Sequence, residues 1–344
     1  MNKYKSRKAT PWDEVSELTP TQSFLKQHYQ DHYAERHVLI RDSAESEIIN
    51  SFLPIRCPHC GSEKFKKCGH TASNVQRYQC VCGKTFLPTT GTIFDEHRIS
   101  ISEWMEYCLN LFRHVSIAAD SWNNKNDFKT SRYWLQKLFL ILENIQDNVI
   151  LSGKVWLDET FYTVSSENII RKDNGNKLRG LSTNQICIGV ATDKARSVLV
   201  VEGTGKPSQK KTFLAFGDHI MRGSELIHDK ESAHRKLVEK LELKSTVHAS
   251  AELKKLPDAE NPLNPVNRVH AILKAFLNSH GGFDRQYIQD YLNLFAFVSN
   301  PPHDMLEKVE LVVDSAFQNP KLLRYREFYT ANAGFEDDDS NTMH

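Results

Sequence analysis

Four cysteines stand in two tight pairs, Cys57-Pro-His-Cys60 and Cys80-Val-Cys82, with Gly83 following the second. Two such knuckles can hold four thiolates around one tetrahedral Zn²⁺. The stretch between them suits a small β-ribbon that returns the second knuckle to the first. Its apolar content is too small to fold alone, so a metal would supply much of the stability. A closed four-cysteine site leaves no open position, which makes it structural rather than catalytic. A redox dithiol or unliganded thiols is the competing reading, and the Cys-x-Cys spacing is the less common knuckle. Cys68 and His70 are spare donors nearby and read as bystanders. The second chemistry-bearing stretch is Lys154-Val-Trp-Leu-Asp-Glu-Thr-Phe-Tyr162. Its apolar and aromatic residues favour a buried strand, with an acid pair, Asp158-Glu159, in the middle. Strand side chains alternate faces, so the two carboxylates cannot do the same job. One reading of Asp158 is an acid at a strand end, met by backbone or arginine; the other is a metal-binding carboxylate. Glu159 reads as facing packing or a local arginine.

The elements that must position these residues follow from the rest of the chain. It has 344 residues, 40% hydrophobic and 25% charged, as expected of a soluble globular protein with roughly two or three domains. The formal net charge is +1, so any polyanion site must be a local patch rather than a global field. No long apolar run marks a membrane span and the polar N-terminus has no apolar core behind it, which points to the cytoplasm. Seven cysteines, four of them clustered, suggest metal rather than disulfides. Lys64, Lys66, Lys67, Arg77, Lys84 and Arg98 give the 55–90 region a local basic surface able to touch phosphates.

Residues 1–50 offer short helices, with Thr10-Pro11 as a start and Phe24, Leu25, Tyr29 and Tyr33 at helical spacing. Ser100-Ile-Ser-Glu103 fits a capping box before an apolar stripe of Trp104, Cys108, Leu111, Phe112 and Val115. Two further helices, the last from about Ser131, make a helix-turn-helix unit or a plain helical spacer; Arg132 and Lys137 are groove or phosphate candidates. From 154 the pattern is mixed α/β. A hairpin of Ile186–Ala191 and Ser197–Val201 follows the first strand, with Asp193 in its turn. A helix runs from Thr212 to Met221, a strand from Glu225 to Asp229, a helix from Ala233 to Leu241, a strand from Ser245 to His248, and helices from Val266 and Tyr287. The tail Glu336–Asp339 reads as a disordered, solvated end.

This order resembles a ribonuclease H-like domain, in which the first and fourth strands lie side by side. Asp158 and Asp229 would then meet at one sheet end, where two carboxylates repel unless cations sit between them. Mg²⁺ prefers oxygen ligands, and two such ions about 4 Å apart suit phosphodiester chemistry. Over residues 52–300 the chain resembles bacterial insertion-sequence transposases, ISXO-like, that carry a zinc ribbon before a DDE-type domain. The matching residues are the two knuckles with Lys84-Thr-Phe86; Leu157–Thr160; Arg179-Gly180 and Gln185–Asp193; Asp229; and Val266-Asn-Arg-Val-His-Ala-Ile-Leu-Lys274 with His280-Gly-Gly and Tyr287–Leu292.

The resemblance implies that Asp158 and Asp229 are the first two metal ligands. The third family position falls at Asn267, matching a branch with Asn there and a Lys two turns on, here Lys274. An asparagine carbonyl can ligate Mg²⁺ without charge, and seven helical residues return to nearly the same face, so Lys274 would hold a DNA phosphate. An inactive copy, or helix caps at Asn264 and Asn267, are the competing readings. His228 and His270 are read as structural. The expected organisation is a helical segment at 1–50, a zinc ribbon at 51–92, a helical segment at 93–150, a ribonuclease H-like domain at 151–300 and an extension at 301–344. The expected function is a Mg²⁺-dependent (Mn²⁺ possible) DNA transposase. It would act on terminal inverted repeats and target DNA as a homodimer or larger assembly, with no membrane partner. A non-catalytic zinc-ribbon DNA-binding relative and a nuclease without strand transfer are the alternatives.

Overall fold

Hydrophobic periodicity in this chain resolves into two separate sheets in the computed structural model. The structure describes residues 45–97, 100–123, 127–229, 232–249, 256–281 and 283–331, with 19–21, 23, 24, 27 and 253 besides. The expected helix start at Thr10-Pro11, the residues Leu25, Tyr29, Tyr33 and Arg98, and the acidic tail lie outside them. The chain divides into two compact units, one of residues 1–141 with 309–344 and one of residues 142–308. Among the described residues no helix is long and apolar enough to cross a membrane.

The first unit holds the ribbon. Strands β1 (Phe65–His70), β2 (Gln76–Cys80) and β3 (Thr85–Phe86) pair antiparallel in that order. Its core is small: Cys57, Tyr78, Cys80 and Phe86 with Phe65 against them. Tyr78 stacks on Phe86 at 5.5 Å and meets the Phe65 ring edge-on at 5.6 Å. The remainder of the unit is helical. Helix α1 (Glu45–Ser51) precedes the ribbon, and α2 (Ile101–Phe112), α3 (Ile117–Asn123) and α4 (Phe128–Leu142) follow it. Ser100 caps α2 as its sequence suggests, its Oγ accepting the Glu103 N–H at 3.3 Å. Glu45 adds a second cap, accepting the Ile101 N–H. The same carboxylate holds His97 Nε2 at 3.0 Å.

Helices α9 (Met305–Gln318) and α10 (Tyr325–Ala331), numbered after those of the second unit, pack back onto this unit. Phe317 stacks on Phe52 at 4.0 Å, and the Tyr329 hydroxyl donates to Lys129 O at 2.6 Å. Lys137 departs from its expected role. It is buried rather than presented to phosphates, and its Nζ lies 4.6 Å from the Tyr133 ring centroid.

The second unit is a five-stranded sheet in the order β6-β5-β4-β7-β8. Its strands are β4 (Lys154–Thr163), β5 (Gln185–Thr192), β6 (Ser197–Thr204), β7 (Glu225–Asp229) and β8 (Lys244–His248). The first three are antiparallel, while β4–β7 and β7–β8 are parallel. Helices α5 (Gln209–Phe216) and α6 (Arg235–Leu241) cover one face: Phe216 and Leu237 pack with Val155, Leu157 and Leu226. Helices α7 (Asn264–Ser279) and α8 (Ile288–Ser299) supply the rest of the unit. Several helices differ in extent from the sequence expectation, α4 starting at Phe128 rather than about Ser131 and α6 at Arg235 rather than Ala233. The one expected over Thr212–Met221 runs Gln209–Phe216, started by Ser208, whose Oγ accepts the Lys211 N–H. The one expected from Val266 begins two residues earlier, with Pro265 in its first turn.

Candidate active site and metal centres

At the ribbon, the sulfur atoms of Cys57, Cys60, Cys80 and Cys82 all lie within 4.8 Å of one another, and Cys68 and His70 are not among them. Each knuckle is closed by a backbone turn: the Gly61 N–H donates to Cys57 O at 2.8 Å and the Gly83 N–H to Cys80 O at 3.0 Å. Both glycines have positive φ, 73° and 85°, a conformation other residues resist. The thiols interact strongly. For Cys57, burial works against the thiolate, but N–H groups of His59 and Cys60 outweigh it and bring the pKa down to about 7. Cys60 is pushed up to about 12; the Ser62 N–H works the other way, and the Cys80 thiol and burial prevail. Four convergent sulfurs with one thiol poised to ionise are a donor set that fits Zn²⁺.

The sheet end of the second unit is built by register. Lys154–Leu157 run beside Glu225–His228, so Leu157 is opposite His228 and the next residues are Asp158 and Asp229. Strand alternation directs Asp158 to the face opposite Leu157, Leu226 and their helices, while Asp229, the last residue of β7, keeps a carboxylate oxygen within 4.8 Å of ring nitrogens of His228 and His234. On that face Trp156 Nε1 donates to Pro262 O at 3.0 Å, just before α7. His270 of α7 sets its Nδ1 3.9 Å from Asp158 Oδ2. Asn267 and Lys274 fall one turn before and one turn after His270, both exposed, on one stripe of the helix. Burial, then the charges of Glu159 and Asp229, push the Asp158 pKa up to about 7. Asp158 and Asp229, brought side by side by adjacent parallel strands, offer carboxylate oxygens of the kind that fit Mg²⁺ or Mn²⁺.

His270, read as structural from the sequence, lies on this face beside Asp158. Burial and the Lys274 charge lower its pKa to about 4, so it sits neutral beside Asp158. Its buried Nε2 has no hydrogen-bond partner.

Glu159 takes the opposite face, as alternation requires, but its partner is histidine rather than arginine. His234 Nε2 lies 2.9 Å from Glu159 Oε1. His234 Nδ1 lies 2.8 Å from His228 Nδ1, and His228 Nε2 2.9 Å from Ser245 Oγ. One proton must sit between the facing Nδ1 atoms. Burial opposes the His234 charge, yet the Glu159 hydrogen bond and charge raise its pKa. Burial and then His234 hold His228 down to about 4. His234 thus links Glu159 to His228, and His228 links onward to the Ser245 hydroxyl. Nearby, burial pushes Glu202 up to about 7; its Oε2 accepts the Thr212 hydroxyl at 2.8 Å.

Comparison with known proteins bears on this second unit. Residues 150–300 match the model of the ISXO2-like transposase domain. No curated protein matches the chain. Among solved structures, the catalytic domain of Mos1 mariner transposase is similar at 13% identity and a TM-score of 0.27, over 54% of this chain and 92% of that one. The Mos1 catalytic domain with raltegravir and Mn aligns at 13% identity and a TM-score of 0.26, over 55% and 94%. A chain of the simian T-cell lymphotropic virus intasome in complex with the PP2A regulatory subunit B56 gamma aligns at 13% identity and a TM-score of 0.26, over 60% and 66%. These structural likenesses are too slight to build on, and the family match stands on its own. The match to the ISXO2-like transposase domain spans the residues that carry Asp158, Asp229 and α7.

Proposed function

We propose that the chain is a Mg²⁺-dependent DNA transposase that cuts a phosphodiester at a transposon end and joins the freed 3′-hydroxyl to target DNA. The observation that carries this reading is the parallel register of β4 and β7, which ends at Leu157 and His228 with an aspartate next on each strand. It falls inside the span matching the transposase domain family.

In this reading Asp158, Asp229 and the side-chain oxygen of Asn267 hold the divalent ions. When bound, the ions supply a more acidic attacking water or hydroxyl and charge stabilisation for the leaving oxygen. The remaining work belongs to the chain. Asp158 and Asp229 orient the site from two adjacent strands, and the neutral His270 shields the Asp158 carboxylate from bulk water. Lys274, exposed one turn from His270, holds a DNA phosphate as a point charge. The ribbon, folded around Zn²⁺ by Cys57, Cys60, Cys80 and Cys82, recognises terminal repeats with the basic residues that surround it. Two ends are paired in a homodimer or larger assembly.

Purified protein incubated with a labelled transposon end, target plasmid and Mg²⁺ tests the reading. Strand-transfer products are expected. Cleavage without joining makes the protein a nuclease, and end binding without cleavage makes it a DNA-binding relative; either result overturns the proposal.

A further inference from the structure

The ladder between β4 and β7 stops at the pair Leu157–His228, one residue short of the two aspartates. Beyond it, β4 stays paired with β5 as far as Thr163, and β7 stays paired with β8 through Asp229 and His248. The sheet thus forks at the level of Asp158 and Asp229. Beyond the Leu157–His228 pair no further β4–β7 pairing holds together the strands that carry the two carboxylates on which shared ions depend. On the reverse face one line of side chains crosses that fork. Glu159 on β4 meets His234, His234 meets His228 on β7, and His228 meets Ser245 on β8, at 2.9, 2.8 and 2.9 Å. His234 belongs to a single turn of 3₁₀ helix, Ser232–His234, that enters α6. Its side chain is fully buried, and that of Glu159 is 5% exposed.

We propose that His234 is a positioning residue for the metal site: it closes the line Glu159–His234–His228–Ser245 behind the sheet and so sets the spacing of Asp158 and Asp229 across the fork. The proposal rests on the metal-ion reading of those two aspartates. Each link has a chemical reason. Glu159 directly follows Asp158, and His228 directly precedes Asp229. Anchoring the two inner-face side chains therefore anchors the backbone units from which the Asp158 and Asp229 carboxylates project. A buried carboxylate and a buried imidazole also satisfy each other here, which explains an acid pair in a core strand that Asp158 alone would not require. Every link of the line is within hydrogen-bond distance, and such fully satisfied lines are rigid.

The test uses the full zinc-loaded chain and follows Mn²⁺ binding by electron paramagnetic resonance, beside end-DNA binding and cleavage at varied Mg²⁺. The variants are Asp158→Asn, His234→Ala, Glu159→Gln and Ser245→Ala, with thermal midpoints and circular dichroism recorded for each. The expected result is Mn²⁺ binding by the wild type and its loss in Asp158→Asn. In His234→Ala and Glu159→Gln, Mn²⁺ affinity should fall about tenfold or more, the scale known for outer-shell partners of metal ligands. Cleavage by these two variants should recover at high Mg²⁺, with DNA affinity unchanged. Ser245→Ala, at the exposed end of the line, should follow in the same direction by a smaller factor; if His234→Ala does not fold, Glu159→Gln and Ser245→Ala carry the test. Equal Mn²⁺ binding by wild type and Asp158→Asn would sink the metal reading itself. Loss in Asp158→Asn with folded His234, Glu159 and Ser245 variants all at wild-type affinity would sink the positioning role alone. His228, Asp229 and His234 also bring ligand atoms within 4.8 Å of one another. Nitrogen hyperfine couplings on bound Mn²⁺ that vanish in His234→Ala would overturn the hydrogen-bonded line in favour of a histidine metal site.

Discussion

The four cysteines of the ribbon come from two knuckles close in sequence, each closed by its own turn and glycine. Asp158 and Asp229 come from strands separated by a hairpin and a helix, and meet through strand pairing over a large apolar core. The ribbon has an aromatic trio and little else to bury, so an ion held by its four thiols would supply much of its folding energy. The sheet end is held by Val155, Leu157, Phe216, Leu226 and their neighbours, and stands before any ion arrives. Local ligand sets thus depend on metal for structure, while a set assembled by a core depends on metal only for chemistry.

The contrast breaks first at the ribbon if it is wrong. Cys57→Ser or Cys80→Ser should release the zinc and unfold residues 51–92, since structural zinc in such small modules contributes about 10 kcal/mol or more. Metal analysis should read one zinc per wild-type chain and none per variant, and limited proteolysis should cut within the ribbon while 142–308 stays intact. A variant that keeps both its zinc and its protection would end the claim that these thiols hold the ion.

The sheet end should behave the other way. Asp158→Asn or Asp229→Asn should lower cleavage on the order of 10³-fold, the scale for losing a main source of transition-state charge stabilisation. In chelator, the thermal midpoint of Asp158→Asn should equal or exceed that of the wild type. The substitution removes one of two carboxylates that repel each other and disturbs no packing. An unfolded Asp158→Asn would show that the ion, not the core, builds this end of the sheet.

Much of this arrangement could be read from residue order. Alternation along Lys154–Tyr162 and the aspartate ending Glu225–Asp229 are local signals, and a single topological rule joins them. The sulfur cluster was legible for the same reason, its spacing being short. What escaped were contacts that no periodicity encodes. His234 lies in a turn with no repeating pattern, so its pairing with Glu159 has no signature in the chain. Lys137 carries a charge on a helix and reads as solvent-facing, whereas the structure buries it against Tyr133. The return of α9 and α10 to the first unit depends on distant aromatic partners such as Phe52 and Phe317. His270 read as structural because burial and reactivity share one sequence appearance; its distance from Asp158 needed coordinates.

Smaller effects probe how fully the core alone holds the sheet end. Gly189 lies opposite Glu159 on β5, and a Cβ there would come 2.5 Å from Glu202 Oε1 and 2.6 Å from the Phe216 ring. Gly189→Ala should therefore destabilise the second unit by about 1–3 kcal/mol through overpacking. Urea unfolding followed by a probe within residues 142–308 checks this, and an unchanged midpoint would mean that α5 is free to shift away from the sheet.

The least of these effects concerns Glu202, whose pKa burial raises from 4.5 to about 7. The folded form then holds a proton that the unfolded form has lost between those two values. Stability linked to Glu202 is therefore fully present below pH 4.5, declines as pH rises towards about 7 and stays lower above it. Glu202→Gln keeps an oxygen for the Thr212 hydroxyl and removes the titration. Relative to wild type, the variant should gain about 1–3 kcal/mol on going from pH 4.5 to pH 8. Denaturant midpoints of the two proteins across that range should diverge as pH rises. Parallel curves would mean that Glu202 ionises within the folded sheet without penalty, and that the core beneath Glu159 is wetter than its apolar lining suggests.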